Sequence, residues 1–152
     1  MTNSFYEAIK DNYFISTNTS LLDVNMIHNY LANESYWAKN IPLATVEKSI
    51  KHSLCFGVYD GITQIGFARV ITDYTAFAYL CDVFIIETYR KKGLSKWLLQ
   101  TIHAYPELQG LRRWMLGTKD AQGLYVQFGW QSLPVDVCKR FMQIYKPNMY
   151  GE

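Results

Sequence analysis

Residues 80–102, LCDVFIIETYRKKGLSKWLLQTI, decide the fold of this chain. They begin as a nearly unbroken apolar run, pass through a basic segment that contains a glycine, and continue with apolar residues at helical spacing. The apolar run starts at residue 77 and is short, aromatic and rich in β-branched residues, so it predicts a strand over 77–86 that is buried on both faces. The spacing that follows predicts an amphipathic helix over 93–104.

The segment that joins this strand to this helix is suited to bind an anion. The first N–H groups of a helix have no intrahelical partners and carry partial positive charge, so they can hold a group such as phosphate. Gly93 lets a ligand approach the main chain, and the N–H groups of residues 91–95, including those of Leu94 and Ser95, are the candidate anion ligands. Full positive charges come from the side chains of Arg90, Lys91, Lys92 and Lys96.

The composition indicates one packed domain. A chain of 152 residues suits a single domain over residues 1–152, and 49% hydrophobic with 16% aromatic residues excludes a disordered chain. The formal net charge of +2 is too small to favour a nucleic-acid partner, and the positive charge that matters is local, around residues 90–96. No stretch approaches the length of a membrane span, so no membrane partner is expected.

The cysteines favour a reducing compartment. Cys55, Cys81 and Cys138 form neither a CxxC pair nor a metal-binding spacing, so no metal site is expected. Two of them lie in apolar runs, which favours buried, reduced thiols. Because the N-terminus also lacks a leader-like apolar segment, the expected location is the cytoplasm. A Cys–His nucleophile built with one of the three histidines stays open as a weaker alternative, since no local motif supports it.

Short apolar runs predict the rest of the sheet. After a loose lead-in over 1–12, the predicted strands cover 13–16, 54–59, 64–72, 77–86, 112–117, 130–133 and 141–145. Asp60-Gly61 is a hairpin turn, and the three consecutive strands from residue 54 form an antiparallel meander. The connection from residue 86 to residue 112 is a parallel, right-handed crossover. The predicted fold class is therefore α+β, with a central, mostly antiparallel mixed sheet that includes a parallel crossover and is flanked by helices.

Three further helices complete the predicted order of elements. Ser20, with Asp23 three residues later, is a variant of the capping box and starts the first helix. The second helix covers about 43–53. A short helix over about 121–128 ends at Gly129, as a glycine just past a helix commonly does.

Two segments resemble the GNAT superfamily of N-acetyltransferases. The pattern Arg-x-x-Gly-x-(Gly/Ala) between a buried strand and an amphipathic helix is similar to that family's acetyl-coenzyme A loop, and residues 87–94, ETYRKKGL, resemble its local signature. Lys91 stands where glycine is common, and Ser95 stands where glycine or alanine is usual. Because serine is small and keeps its N–H, phosphate binding should survive. Residues 116–130 resemble the family's late segment, in which a tyrosine is followed by an aromatic residue and glycine, here Tyr125, Phe128 and Gly129.

The resemblance covers nearly the whole chain and implies a GNAT-like fold with acetyl-coenzyme A as cofactor. It implies that the pantetheine arm pairs with main-chain groups near Phe84 and Ile85, where an N–H can also polarise the thioester carbonyl. It further implies that Tyr125 donates a proton to the departing thiolate, since a neutral phenol is a hydrogen-bond donor at pH 7. The alternative for Tyr125 is a packing role, with its hydroxyl at the surface.

The general base is harder to assign. Asp82 is a carboxylate inside an apolar strand, where burial is costly unless the charge is paired and where the surroundings can make it a useful base. An ion pair with Arg69 on the adjacent strand is a purely structural alternative. Asp73 and Tyr79 are weaker candidates for the base.

The acceptor side of the site is expected in the loop between the first two helices. Tyr36 and Trp37 either cover the edge of the core or, as in GNAT proteins, form a wall of the acceptor pocket.

The predicted function is N-acetylation of a primary amine of a small molecule or peptide, by direct transfer from acetyl-coenzyme A in a ternary complex. The alternative is a non-catalytic sensor or interaction module that binds acyl-coenzyme A on the same fold. A P-loop enzyme is disfavoured because the Gly-Lys-Ser/Thr element is missing. The protein is expected to be a monomer or a homodimer.

Overall fold

A computed structural model describes residues 4–151, and in it the chain folds around one six-stranded sheet with the strand order β1-β2-β3-β4-β5-β6. The strands are β1 Glu7–Lys10, β2 Tyr13–Ser16, β3 Leu54–Asp60, β4 Thr63–Thr72, β5 Phe77–Ile85 and β6 Arg113–Met115. Neighbouring strands are antiparallel from β1 to β5, and β6 lies parallel to β5. The predicted mixed sheet with one parallel crossover is confirmed.

Helices cover both faces of this sheet, which separates two cores. The helices are α1 Val24–Asn33, α2 Leu43–Lys51, α3 Leu94–His103, α4 Gln122–Tyr125 and α5 Val135–Cys138. α3 buries Leu98, Leu99 and Ile102 against one face of the sheet, and α1 and α2 bury Ile27 and Val46 on the other face. The predicted α+β class is thus confirmed. Within residues 4–151, no helix has the length and apolar character that crossing a membrane requires.

The N-terminal region holds more structure than its sequence predicts. Part of the stretch expected as a loose lead-in is strand β1, which pairs with β2 from Glu7↔Ser16 to Lys10↔Tyr13. Asp11, at φ 56°, makes the tight turn between them, in a left-handed conformation that aspartate tolerates better than most residues. Because β1 is mostly exposed, its residues lack the apolar alternation by which a strand is recognised.

The first helix begins later than its capping pattern predicts. The side chain of Asp23 accepts a hydrogen bond from the main-chain N–H of Met26 at 3.1 Å and caps α1. Ser20 lies in a separate 3-10 turn, Thr19–Leu21, which Asn18 caps. The prediction of Ser20 as the cap was wrong because two cap-forming residues lie three positions apart, and only the second precedes the apolar helical repeat.

The final two predicted strands are absent from the described part of the chain. Residues 130–133 are irregular, residues 135–138 form α5, and residues 141–145 form no ladder. β6 is also shorter than the expected 112–117. A strand needs a neighbour for its main-chain hydrogen bonds, and sequence pattern alone does not supply one. These two strand predictions are corrected.

A bulge in β5 shapes the functional end of the sheet. Phe67 pairs with Phe84 and Arg69 pairs with Cys81, so two residues of β5 stand opposite one residue of β4. Asp82 sits in this bulge at φ 53°, and a left-handed residue of this kind bends the strand and increases its twist. Pairing between β5 and β6 ends at Tyr79↔Met115, beyond which no β5–β6 pair is formed.

Candidate active site

The start of α3 forms a cationic cradle beside the end of β5. Gly93 begins the helix at φ 77°, and no side chain from the described residues caps the N–H groups that follow. A cavity of about 180 Å³ opens there. Of the predicted cofactor-binding residues it is lined by Ile85, Arg90, Lys91, Gly93, Leu94, Ser95 and Lys96. Lys92 and Phe84 do not line it, and their contact with a cofactor stays a prediction.

Gly93 keeps the mouth of this cradle open. A Cβ built on Gly93 would meet no protein atom within 4 Å, so a side chain there would stand in the open space before the helix. The positive φ of Gly93 is also strained for any other residue. Both features suit a helix terminus at which a phosphate contacts the main chain directly.

Lys91 occupies the position where a glycine is common in the family that this loop resembles. Its φ is 64°, in the left-handed region, which costs a residue with a Cβ roughly 1–2 kcal/mol. The structure therefore gives a physical reason for that glycine: the main chain turns left-handed at residue 91 as well as at Gly93.

Arg90 is fixed by contacts inside the protein. Its Nε donates to the carbonyl of Ile85 at 2.9 Å, and a terminal nitrogen donates to the hydroxyl of Tyr30 at 2.9 Å. These bonds tie the loop to the end of β5 and to α1. Arg90 thus orients the cradle while its charge remains at the cavity wall.

The main-chain groups of Phe84 and Ile85 point to different sides. The N–H of Ile86 donates to the carbonyl of Ile65 at 2.9 Å, and Ile85 stands opposite Gly66. Because hydrogen-bonded and non-bonded pairs alternate in an antiparallel ladder, Ile85 directs its main-chain groups away from β4 and Phe84 directs its own toward β4. Of the two predicted contacts, only Ile85 thus has main-chain groups on the open side.

A second cavity, of about 110 Å³, lies beyond the point at which β5 and β6 stop pairing. It brings together three residues that the sequence places far apart, namely Trp37, Asp82 and Tyr125. Leu124 lines the cradle at α3, and Tyr125, next to it, lines this cavity. The two cavities are therefore neighbours, since consecutive residues at the end of α4 line them.

Asp82 is paired, as the structural alternative expects. Its Oδ2 accepts from Nε of Arg69 at 2.8 Å, and its Oδ1 accepts from the indole N–H of Trp37 at 2.9 Å. Arg69 also donates to the hydroxyl of Ser53 at 3.0 Å. Burial by itself would lower the pKa of Arg69, but Cys81 and the bonded carboxylate of Asp82 raise it overall. Asp82 thus lies in the cavity wall as one half of a largely buried ion pair.

Tyr125 has the properties of a proton donor. Its side chain is 8% exposed, and burial, with a smaller contribution from nearby Tyr36, raises its pKa to about 12. The phenol is therefore neutral at pH 7, and Tyr125 lines the cavity that Asp82 also lines.

The loop between α1 and α2 reaches across to this cavity. The hydroxyl of Tyr36 accepts from the main-chain N–H of Lys119 at 2.8 Å, and the rings of Tyr36 and Trp37 are 5.0 Å apart, edge to face. Both rings remain partly exposed, at 53% and 40%. Trp37 lines the second cavity, whereas Tyr36 lines neither cavity, so a role of Tyr36 in the acceptor pocket stays a prediction.

The weaker base candidates occupy different positions. Asp73 is exposed, and its carboxylate accepts hydrogen bonds from Ala76, Thr75 and Phe77 that hold its pKa well below the usual range. It is a turn residue and does not line either cavity. Tyr79 does line the second cavity, and burial raises its pKa.

Sequence reasoning missed the residues that support the site. Ser53 orients Arg69, and Thr118 lines the second cavity from the segment after β6. Nothing in the sequence pattern marks either residue, because both act through contacts between elements distant in the chain. Among residues 4–151, no group of three or more potential ligands is placed to hold a metal ion.

Comparison with known proteins assigns this arrangement to a family. The family model described as acetyltransferase (GNAT) family matches residues 24–130, which include α1, the cradle and Tyr125. A protein of Gibberella zeae, provisionally named an acetyltransferase, is 33% identical over 138 residues, covering 76% of this chain and 77% of its own.

Solved structures agree. A protein of Xanthomonas campestris, provisionally assigned to the GNAT acetyltransferases, is 45% identical with a TM-score of 0.89 and covers 95% of this chain and 100% of its own. A GNAT family acetyltransferase of Elizabethkingia anophelis, solved with acetyl-coenzyme A bound, has a TM-score of 0.57 at 13% identity, covering 79% of this chain and 74% of its own. The second likeness is one of fold alone.

Proposed function

Because this chain belongs to the GNAT family of acetyltransferases, we propose that it transfers an acetyl group from acetyl-coenzyme A to a primary amine of a small molecule or peptide, by direct transfer in a ternary complex. The observation that carries the proposal is the placement of two neighbouring cavities. One is a cationic cradle at the start of α3, and the other holds Asp82, Trp37 and Tyr125 together.

The cradle suits the diphosphate of the cofactor. The uncapped N–H groups after Gly93 and the side chains of Lys91 and Lys96 would hold it, with the loop fixed in place by Arg90. The free main-chain N–H of Ile85 would then bind the pantetheine arm or the carbonyl oxygen of the thioester. Acetyl-coenzyme A supplies the activated acetyl group and leaves as a thiol.

Tyr125 would protonate the leaving sulfur. Its pKa of about 12 keeps the proton on the hydroxyl oxygen at every physiological pH, so the donor form is always present. Since a positioned proton donor contributes about 10²–10⁴-fold to such steps, loss of the hydroxyl should reduce turnover more than binding.

Asp82 is the proposed acceptor for the proton of the incoming amine. Hydrogen bonds from Arg69 and Trp37 occupy one lone pair on each carboxylate oxygen and leave the others free to accept. The partnership with Arg69 keeps the carboxylate near the reaction cavity without the cost of an unpaired buried charge.

The acceptor would bind against the aromatic wall of Tyr36 and Trp37. Their partly exposed rings suit a small amine or an amino-terminal residue, whose ammonium would be attracted to a ring face. The same proposal places one acetyltransferase domain over residues 1–152 and the reaction in the cytoplasm, in accord with three cysteines that form no disulfide.

The test is acceptor-dependent release of free thiol. The full chain is incubated with acetyl-coenzyme A and a panel of primary amines, and thiol release is measured beside calorimetric binding of coenzyme A. We expect binding together with release that depends on one class of amine. Binding of coenzyme A without acceptor-dependent thiol release over a broad panel would contradict the transfer proposal and favour a sensor. Absence of both binding and release would contradict the proposal that the cradle holds the cofactor.

A further inference from the structure

Three large apolar side chains in the middle of the sheet stay open to solvent. Ile71 of β4 is paired with Tyr79 of β5, and Phe77 precedes Tyr79 by two positions, so all three side chains stand on one face. Ile71 is 44% exposed, and Phe77 and Tyr79 are each 37% exposed. Ala78 and Leu80, which alternate with them, are buried on the opposite face. We call Ile71, Phe77 and Tyr79 the apolar strip.

The apolar strip lies on the side of the sheet that α1 and α2 cover. Arg69 is paired with Cys55 of β3 and with Cys81 of β5, so these three side chains share a face. Cys55 is part of the core beneath α1 and α2. Tyr79, two positions before Cys81, points to the same side. The two helices thus cover part of this face and leave the strip open.

The strip runs into the cavity of the candidate active site. Tyr79 belongs to the strip and also lines the cavity of about 110 Å³ that holds Trp37, Asp82 and Tyr125. A typical site for a small molecule measures roughly 300–1,000 Å³, so this cavity suits the reacting groups of an acceptor but not its whole body. The rest of the acceptor would lie outside the cavity, and the adjoining surface is the apolar strip.

The charged side chains beside the strip already have partners. Nε of Arg69 and Oδ2 of Asp82 are 2.8 Å apart. Arg113, opposite Phe77, has its guanidinium 4.6 Å from the ring centroid of Phe141, and its unpartnered terminal nitrogen is buried. A second charge on the acceptor would lose hydration here without gaining a counter-charge. An aromatic ring, in contrast, would gain contact with the rings of the strip.

The size of the strip suits a small molecule better than a protein. Three partly exposed side chains present on the order of 200–300 Å² of surface, whereas a specific protein interface buries about 800 Å² on each partner. A protein lying on the strip would also close the mouth of the cavity, which an acceptor must enter.

We propose that the acceptor is a primary amine attached to an apolar, aromatic body, which lies on the apolar strip while the amine enters the cavity beside Asp82. The proposal rests on the proposed acetyl transfer and names its substrate class. Since a strand rises about 3.3 Å per residue, Tyr79 lies roughly 10 Å along β5 from Asp82, which a linker of about two to four carbon atoms between ring and amine would span.

The reaction of such an amine balances with the residues of the cavity. The neutral nitrogen attacks the thioester carbon, so that a C–N bond forms and the C–S bond breaks. One amine proton passes to Asp82, and the hydroxyl proton of Tyr125 passes to the sulfur, which leaves as a thiol. Water returns the proton from Asp82 to Tyr125. The strip contributes only binding, and its residues are specificity determinants.

The first experiment compares three primary amines by thiol release from acetyl-coenzyme A with the full chain. The amines are 4-phenylbutylamine, butylamine, which lacks the ring, and 1,5-diaminopentane, which carries a second charge. We expect kcat/KM for 4-phenylbutylamine to exceed that for each of the others by about 10-fold or more, because the ring leaves water on the strip. An equal or higher kcat/KM for butylamine or 1,5-diaminopentane would overturn the proposal.

The second experiment changes the strip without touching the cavity. Ile71→Gln should raise KM for 4-phenylbutylamine by about threefold or more, with kcat and the constants for butylamine nearly unchanged. Ile9→Gln is the matched control, because Ile9 is an isoleucine 81% exposed in β1 at the opposite edge of the sheet, and it should change neither. Both positions are exposed, so both variants should keep the circular dichroism spectrum. An unchanged preference for the aromatic amine in Ile71→Gln would contradict the role of the strip.

A binding measurement separates failure of this proposal from failure of the transfer reaction. If no amine gives thiol release, the proposed transfer fails, and calorimetric titration in excess coenzyme A still tests the strip. Tighter binding of 4-phenylbutylamine than of butylamine, weakened in Ile71→Gln but not in Ile9→Gln, would support the strip as a site for aromatic amines. Equal binding of the two amines, or binding of neither, would overturn it.

Discussion

The indole N–H of Trp37 donates to Oδ1 of Asp82 over 2.9 Å, joining the α1–α2 loop to the bulge of β5. The two residues are separated by 45 positions, and neither has a local sequence signal for the other. The other oxygen of Asp82 accepts a hydrogen bond from Arg69, so both oxygens of the carboxylate are held by side chains from other elements. This contact links the proposed acceptor wall to the candidate base.

Replacement of Trp37 by phenylalanine should test both its hydrogen bond to Asp82 and its proposed role in binding the amine. An aromatic ring remains, but Asp82 loses a charge-assisted hydrogen bond, so we expect a loss of about 1.5–3 kcal/mol in the free energy of unfolding and a higher KM for the amine. Denaturant titration and steady-state kinetics measure the two effects. Tyr36→Phe, which removes only the acceptor for the N–H of Lys119, should leave the contact to Asp82 intact. An unchanged KM for the amine in Trp37→Phe would contradict the proposal that Trp37 binds the acceptor.

Replacement of Asp82 by asparagine should lower both turnover and stability. The side chain can still accept from Trp37, but Arg69 loses its counter-charge, and breaking a buried pair costs about 3–5 kcal/mol. Asp136→Asn is the matched control, because its pair with Arg140 is exposed and should be worth at most about 1 kcal/mol. Full turnover by a folded Asp82→Asn protein would leave Asp82 with a structural role only.

Replacement of Tyr125 by phenylalanine should reduce kcat by about 10²-fold or more while the affinity for coenzyme A stays nearly constant. The ring keeps its packing, so the change isolates the hydroxyl. Calorimetry gives the affinity, and thiol release gives kcat. Equal turnover by the two proteins would mean that Tyr125 only fills space between α4 and β5.

Replacement of Lys91 by glycine should stabilise the protein. Glycine removes the strain of the left-handed main chain, which stabilises the folded state by roughly 1–2 kcal/mol. It also increases the conformational freedom of the unfolded chain, which destabilises the folded state by up to about 1 kcal/mol. Lys92→Gly is the control, since it removes the same charge at a position without positive φ and should be destabilising. The two free energies of unfolding are compared by denaturant titration, and a Lys91→Gly protein no more stable than Lys92→Gly would contradict the strain.

His103 should make stability depend on pH. Its Nε2 accepts from the indole N–H of Trp130 at 3.0 Å, and burial lowers its pKa below the ordinary value of 6.5. The unfolded chain then binds more protons than the folded chain just below pH 6.5, so stability is full above that pH and falls as pH decreases. Denaturant titrations over this range should show the decline, and His103→Gln should flatten it. A decline of equal size in His103→Gln would assign it to other groups.

The identities and order of most elements could be predicted from sequence. The strands that begin at residues 54, 63 and 77 and the helix after Gly93 carry strong apolar patterns, because each buries a continuous face. The pattern failed for β1, which is paired but mostly exposed, and for 141–145, which is apolar but unpaired in its own chain. In both cases, whether the segment forms a strand depends on the presence of a neighbouring strand and not on its own residues.

For the site, the sequence by itself determined the chemistry at hand: a glycine and basic residues at a helix start, a carboxylate within a strand, and a tyrosine in a short helix. Only the tertiary structure decided which of these meet. The bulge at Asp82 bends β5, the α1–α2 loop crosses to it, and Tyr125 enters the same cavity. The reason is physical: composition and spacing act within one element, whereas a site is made by contacts between elements, whose relative positions are set by packing the whole core.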